Sequence, residues 1–531
     1  MKSNSEQRIE KLLASRRQLL KRAGLGTAAA VAAPTLVEAA SLLRLPNAYP
    51  ESGKNPVAPV SLKSRDEIRD LLFDTTFAAR DTQKPLPKYT FPENQNSPRD
   101  IRQLVVDELM LDGNPRMNLA TFCQTWEELE VHEIMDLSID RNLIDKSEYP
   151  QTAELEIRCT HMLASLWNAP NEGNSVGTST VGSSEACMLG GIAAKWRWKA
   201  RQKAAGRPTD KPNIVCGPVQ ICWEKFCRFF EIEMRQIPMT QDRLHMDAAR
   251  MLEAVDENTI CVVPTFGVTY HGQYEQVAQI AEALDELEVR TGLSVDLHVD
   301  AASGGFLAPF SAPDLVWDFR LPRVKSISAS GHKYGLAPLG VGWIVWGDQR
   351  HLDDELVFSV SYLGGEVGTF GFNFSRPAGQ VVAQYYLFNR LGREGYTRVQ
   401  NACYETARYL SDEIAKLGPF DFISRGDPEQ GIPAVCFYVR PGRALPYSLF
   451  DLSAKLRERG WQVPAFNLID ELSDVTVVRI MVRQGVSRDL ASLLLEDIRR
   501  AIDHFERYPV SKPLTQEDHG SHTHNASSRS R

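Results

Sequence analysis

Long hydrophobic runs are missing from this chain. No stretch of its 531 residues approaches the ~18 consecutive apolar residues of a membrane span, so no transmembrane helix is expected. Paired cysteines are missing as well. Nine are scattered from Cys123 to Cys436, with no C-x-x-C pair and no His/Cys ligand spacing. An odd, scattered set reads as buried free thiols and excludes both a disulfide framework and a metal module. Cys216, Cys222 and Cys227 come nearest to a cluster and read as core packing. A basic stripe is also absent, and the net charge is −8. That balance argues against a nucleic-acid partner. What remains is ordinary globular composition, 43% hydrophobic and 24% charged, in a chain long enough for two or three domains.

The amino terminus differs from the rest. Ser15-Arg16-Arg17-Gln18-Leu19-Leu20-Lys21 precedes AGLGTAAAVAAPTLV, which carries no charge, and Val37-Glu38-Ala39 then offers small residues for cleavage. This pattern reads residues 1–40 as a twin-arginine-type signal segment and implies a periplasmic protein, with the cytoplasm as the alternative. Residues 41–115 hold Pro-rich pieces around one helical pattern, SRDEIRDLLFDTTFAAR, and read as an arm. From about 116 to 400, short β-branched runs (NIVCG, TICVVPTFG, SVDLHVDAASGG, VKSISAS, GVGWIVWG) alternate with helical stretches such as YEQVAQIAEALDELEVRTG. That alternation predicts βαβ units, hence a mostly parallel sheet flanked by helices. Residues 401–510 open with a long helical pattern and read as a smaller α+β domain. Residues 511–531 read as a flexible tail.

In an open α/β sheet, ligands sit beyond the carboxyl ends of the strands. Three such places carry suggestive residues. SVDLHVDAASGG ends at Asp300-Ala301-Ala302. The run SISASGHKYG brings Ser330, His332 and Lys333 among small residues. In VGTSTVGSSEACMLGG, Gly182-Ser183-Ser184 stand where a loop turns into a helix and offer N–H groups and hydroxyls to an anion. Each alone is what a cap or a turn would show. Together they supply a phosphate site, an acid for a pyridinium nitrogen and a lysine with room beside it, which are the parts pyridoxal 5'-phosphate needs.

At these residues the chain resembles bacterial glutamate decarboxylases of the pyridoxal-phosphate family, the group II decarboxylases, over roughly residues 57–510. The likeness lies in long blocks: NLATFCQTW, EYPQTAELEIRC, GSSEACMLGG, DKPNIVCGPVQICW, VVPTFGVTY, HVDAASGGFLAPF, SISASGHK and FNFSRPAGQ. It implies a fold-type-I, transferase-like α/β architecture that assembles as a homodimer or homohexamer. It implies that Lys333 carries the cofactor covalently, that Asp300 pairs with the ring nitrogen, and that Gln220 and Ala302 flank the ring. Ser183, Ser184 and Ser330 would hold the phosphate, Thr269 the ring's polar edge, and His332 would touch the cofactor. Ser375 would reach the phosphate from the partner subunit. Thr121, Phe122 and Asn142, with Asp145 near them, would select the substrate's distal carboxylate, and Arg479 its α-carboxylate.

The activity implied is conversion of L-glutamate to 4-aminobutyrate and carbon dioxide with uptake of a proton, which suits acid resistance. The alternatives are a decarboxylase of another acidic amino acid such as aspartate, or a non-catalytic homologue of the same fold. Departures are visible. Glu224 follows ICW where acid-induced relatives commonly have histidine. The first ~60 residues do not match the family's short amino-terminal helix. The tail lacks tryptophan and holds one lysine, Lys512, so calmodulin is not expected as a partner. The tail does carry His519, His522 and His524. By resemblance, one of the last two would close the site near neutral pH as a neutral imidazole and release it on protonation below about 6.5.

Overall fold

The computed structural model describes residues 86–360 and 367–519. The expected signal segment, the arm before residue 86, and His522 and His524 lie outside the described residues, and of His519 only the backbone is described. The chain divides into two units, Met1–Asp112 and Gly113–Arg531. In the described part of the first, a helix Pro98–Leu109 opens with proline and places Asp100 in its first turn.

The second unit is organised by a seven-stranded sheet. Its strands are β1 (Val176–Thr180), β2 (Asn213–Cys216), β3 (Glu233–Gln236), β4 (Thr259–Val263), β5 (Asp296–Asp300), β6 (Val324–Ala329) and β7 (Gly342–Trp346), in the order β1-β7-β6-β5-β4-β2-β3. Every residue of β2, β4, β5 and β7 is buried. Helices cover both faces, so β2, β4 and β7 read as largely apolar runs, whereas β5 buries Asp296, His298 and Asp300 at alternate positions. Pairing is parallel from β3 through β6 and antiparallel on both sides of β7. The double reversal makes β1 run the same way as β5 and β6. The carboxyl ends of β1, β2, β4, β5 and β6 therefore open on one edge, and the loops leaving them carry Gly182-Ser183-Ser184, Gln220, Thr269, Asp300 and Lys333.

Beyond a two-stranded ribbon, β8 (Phe358–Val360) with β9 (Val367–Thr369), a helix runs from Gly379 to Ile414. A second sheet follows, β10 (Phe420–Arg425), β11 (Ala434–Val439), β12 (Ala465–Asn467) and β13 (Thr476–Met481), antiparallel in the order β10-β11-β13-β12. Two expectations need correction. The boundary at residues 400/401 falls inside the Gly379–Ile414 helix, although the smaller C-terminal domain itself is present with its own sheet and core. The physical reason is that this helix serves two cores. Val381 and Leu387 pack with the large sheet, while Cys403, Ala407 and Leu410 pack with the small one. Between them the helix bends at Gly392, whose φ of 57° only glycine tolerates easily. The start of the tail is also docked. Leu514 is tied by its N–H to Asp451 Oδ1 and by its carbonyl to Ser448 Oγ, and Gln516 Oε1 accepts from Asn467 N–H.

One buried ion pair fastens the segment after β9 to β1. Glu156 Oε1 accepts from Thr178 Oγ1, Ser179 N, Ser179 Oγ and, at 2.9 Å, Arg376 Nη2, and both charged side chains are 7% exposed. Removing one member of such a pair strands the other charge in a dry interior, at a cost of about 3–5 kcal/mol. Arg376→Met is accordingly expected to lower the unfolding free energy by about that amount. Denaturant unfolding of the purified protein measures it, and an unchanged midpoint contradicts the assignment.

Candidate functional site

The loop after β6 is compact. Ser330 N donates to Ala302 O (3.1 Å), Lys333 N to Ser330 O (3.2 Å) and His332 N to Val341 O (3.1 Å). Part of the smallness around Lys333 serves packing. A Cβ on Gly331 would lie 2.3 Å from Gln384 Oε1 and 2.9 Å from Trp343 Nε1, so that glycine makes room for the protein's own side chains. The half-buried Lys333 points its Nζ over the Phe122 ring, 5.1 Å from the centroid.

The same ring takes Arg479 of β13, whose guanidinium carbon is 4.6 Å away, and Phe466 of β12 lies on that guanidinium at 5.2 Å. Arg479 Nη1 donates to Thr269 O and Nη2 to Ala120 O, while its buried Nε has no acceptor. Burial pulls Arg479 down to about 10, and no carboxylate among the described residues pairs with it. Thr121, beside Phe122, turns its Oγ1 to the N–H of Cys123.

Asp300 ends β5 and is 3% exposed. Trp223 Nε1 donates to its Oδ2 at 2.8 Å and Ala302 N to its Oδ1 at 3.1 Å. No cation among the described residues reaches it. Cys187 and Cys222 lie beside it, their sulfurs and a carboxylate oxygen all within 4.8 Å of one another. Gln220 caps the helix Ile221–Phe229, its Oε1 accepting from Cys222 N (2.7 Å), which holds the amide at the edge where Ala302 also lies. Glu224, two residues after Cys222, is exposed on that helix.

At the end of β1, Gly182 adopts φ +118° and opens the helix Ser183–Ala204, whose start no side chain caps. Ser183 is half-buried and Ser184 exposed. A Cβ on Gly182 would stand 3.0 Å from His332 Cε1, so this turn rests directly on that imidazole. His332 Nδ1 accepts from Val341 N (3.2 Å) and Gly340 N (3.4 Å), which puts the ring proton on Nε2. Burial and the neighbouring Lys333 bring His332 down to about 4, so it is neutral in mild acid. Ser330 Oγ is buried without a partner.

The remaining predicted residues form a separate group. Asn142 Nδ2 donates to Ser375 Oγ (3.2 Å) and Asn142 Oδ1 accepts from Arg376 N (3.1 Å). Asp145 lies one turn on, its N–H bonded to Asn142 O. Among the described residues, no hydrogen bond joins this group to the one around Lys333. Two residues escaped sequence reasoning, Trp223 and Phe466. Each meets its partner only through tertiary contact, and no local spacing signals it.

These residues fit a phosphorylated pyridine. The donor-only helix start and the unpaired Ser330 hydroxyl suit a phosphate, the unpaired Asp300 carboxylate suits a protonated ring nitrogen, and Lys333 can hold an aldehyde. A model of the pyridoxal-dependent decarboxylase conserved domain matches residues 88–440. The chain belongs to the pyridoxal-dependent decarboxylase family. Pyridoxal phosphate is accordingly its cofactor, and its chemistry is that of a carboxy-lyase. It is 56% identical to a glutamate decarboxylase of Aliivibrio fischeri, over 85% of this chain and 97% of that one. It is 46% identical to a glutamate decarboxylase of Solanum lycopersicum, over 82% and 87%. A solved glutamate decarboxylase of Lactobacillus brevis superposes with a TM-score of 0.79 at 44% identity, covering 82% of this chain and 99% of its own.

Behind its ring-nitrogen edge the decarboxylase buries a second carboxyl. Glu275 Oε1 accepts from Met246 N (2.7 Å) and Oε2 from Thr265 N (2.6 Å), joining the loops that leave β3 and β4. Burial raises it from the usual 4.5 to about 8, against the pull of the two N–H donors. Between those values the unfolded chain releases this proton and the folded chain keeps it. The stability it contributes is complete below 4.5 and is lost as pH rises toward 8. The melting temperature should therefore fall from pH 5 to pH 8, and Glu275→Gln should flatten that fall even if its melting temperature is lower throughout. Parallel profiles for the two proteins contradict the assignment.

Proposed function

We propose that this decarboxylase converts L-glutamate to 4-aminobutyrate and carbon dioxide, taking up one proton in each turnover. The observation that carries the reading is the row Lys333–Phe122–Arg479. An amine-holding group and a buried, unpaired guanidinium face one aromatic ring at 5.1 and 4.6 Å. An amino acid whose nitrogen goes to the cofactor at Lys333 has its α-carboxylate taken by Arg479. The named relatives support glutamate as that amino acid.

Bound pyridoxal phosphate supplies an electron sink for the bond that breaks. Lys333 holds it and moves a proton at its Nζ. Asp300 would keep the proton on the ring nitrogen, and Gln220, Ala302 and Thr269 would help hold the ring. Ser183, Ser184, Ser330 and the neutral His332 would hold the phosphate end, His332 with its Nε2 proton free to donate. Arg479, wedged between Phe122 and Phe466, holds the carboxylate in a dry place where its charge is little screened. Thr121 stands beside it.

The Asn142–Ser375 pair belongs to this reading through a second copy of the chain. A dimer lets Ser375 reach the neighbouring phosphate, and Asn142, bonded to it, comes to the same site with Asp145. Exposed apolar side chains such as Phe358 and Phe372 are available to such an assembly. Proton uptake in each turnover suits a role in acid resistance.

Incubating the purified protein with glutamate, and separately with aspartate, at mildly acid pH tests the substrate. 4-Aminobutyrate, detected by NMR, should form from glutamate while aspartate stays intact. Lys333→Ala should abolish turnover and the cofactor's covalent attachment, leaving the fold in place. Steady turnover by that variant, or preferential consumption of aspartate, contradicts the proposal.

A further inference from the structure

We infer that Trp223 is a positioning residue for the cofactor: its indole N–H fixes the Asp300 carboxylate as a pure acceptor, so that the proton stays on the ring nitrogen. The inference rests on the reading of Asp300 as the ring-nitrogen partner and adds the group that sets its behaviour.

Trp223 is fully buried and its Nε1 lies 2.8 Å from Asp300 Oδ2. An indole has one N–H and no acceptor, so Oδ2 can meet it only with a lone pair. The other oxygen has a backbone donor, Ala302 N. Trp223 is the one side chain among the described residues that donates to Asp300. Its orientation is fixed by edge-on contacts with Phe226 at 5.6 Å and His298 at 5.3 Å. His298 lies between Ser326 Oγ (2.7 Å) and Ser328 Oγ (3.1 Å). Cys187 Sγ is 3.2 Å from that same Ser328 hydroxyl.

Among the described residues, no cation bonds to Asp300. Burial brings His298 down to about 3 and pushes the Cys187 thiol up, so both are neutral at working pH. The carboxylate is therefore balanced by N–H donors alone until a cation arrives opposite it. A donor withdraws charge from the carboxylate and makes it a weaker base. Without the indole N–H, the carboxylate competes harder for the ring proton and its Oδ2 is left unsatisfied in a dry site. The position of Trp223 adds a link. It lies three residues after Gln220, in the first turn of the helix that Gln220 caps, so the group beside the ring and the group behind its partner are set by one turn of chain.

The test uses the full chain reconstituted with pyridoxal phosphate labelled with ¹⁵N in the ring. Trp223→Phe should weaken cofactor binding about 10- to 100-fold, the range expected for losing one hydrogen bond to a charged group. It should also move the ring ¹⁵N resonance toward the unprotonated position. Replacing Trp223 by 3-benzothienylalanine keeps the bicycle, deletes only the N–H and should do the same. If the benzothienyl protein keeps the wild-type affinity and resonance while Asp300→Asn shifts the resonance, the role of Trp223 is overturned and that of Asp300 stands. If Asp300→Asn also leaves it unmoved, both fall.

Discussion

Asp300 and Arg479 are opposite charges buried in one protein, and neither has an ionic partner among the described residues. Burying an unpaired charge is among the most expensive things a fold can do. The usual remedy, a neighbouring counter-charge, is absent at both places. Asp300 is held by two N–H groups, and Arg479 by two carbonyls and two aromatic faces. Each arrangement makes the charge tolerable without cancelling it. On the proposed reading a protonated pyridine would complete the first and a substrate carboxylate the second, so that binding would relieve a cost built into the fold.

The scaffold that maintains this tension is the strand edge together with a strap. Six strands of the large sheet deliver their loops to one side, which concentrates helix-start N–H groups and short loops there. The segment from Asn118 to Gln124 then ties the two sheets together. Leu119 donates to Gln462 O and accepts from Met481 N at the small sheet, and Gln124 N reaches His332 O at the large one. Phe122 lies in the middle of that strap, which is why a single ring can face both Lys333 and Arg479. Position in space, more than composition, makes Phe122 part of the site.

Much of this was legible beforehand. The strands NIVCG and TICVVPTFG announce themselves because a sheet covered on both faces favours apolar, β-branched runs. Asp300 and Lys333 stand out because such sheets bind ligands where their strands end. Other features had no local signature. The bond from Trp223 to Asp300 joins residues far apart in sequence, and the three letters ICW give no hint of it. Phe466 faces Phe122 across Arg479 only because the strap and β12 meet in space. The pairing of Asn142 with Ser375 likewise depends on the ion pair that pins Arg376. The boundary at residue 400 was misplaced because a helix serving two cores changes texture without ending. Gly331 misled in a subtler way, since a missing Cβ can make room for the protein's own Gln384 as readily as for a ligand.

The central claim is that Asp300 is an unpaired buried anion completed by the cofactor's ring nitrogen. Comparing the affinity of the apoprotein for pyridoxal phosphate with that for its 1-deaza analogue tests it most directly, because the analogue keeps the phosphate, aldehyde and shape and replaces the nitrogen by carbon. The account predicts that the deaza analogue binds more weakly by at least an order of magnitude, the penalty for leaving a buried charge unpaired. Equal affinities for the two compounds would contradict it.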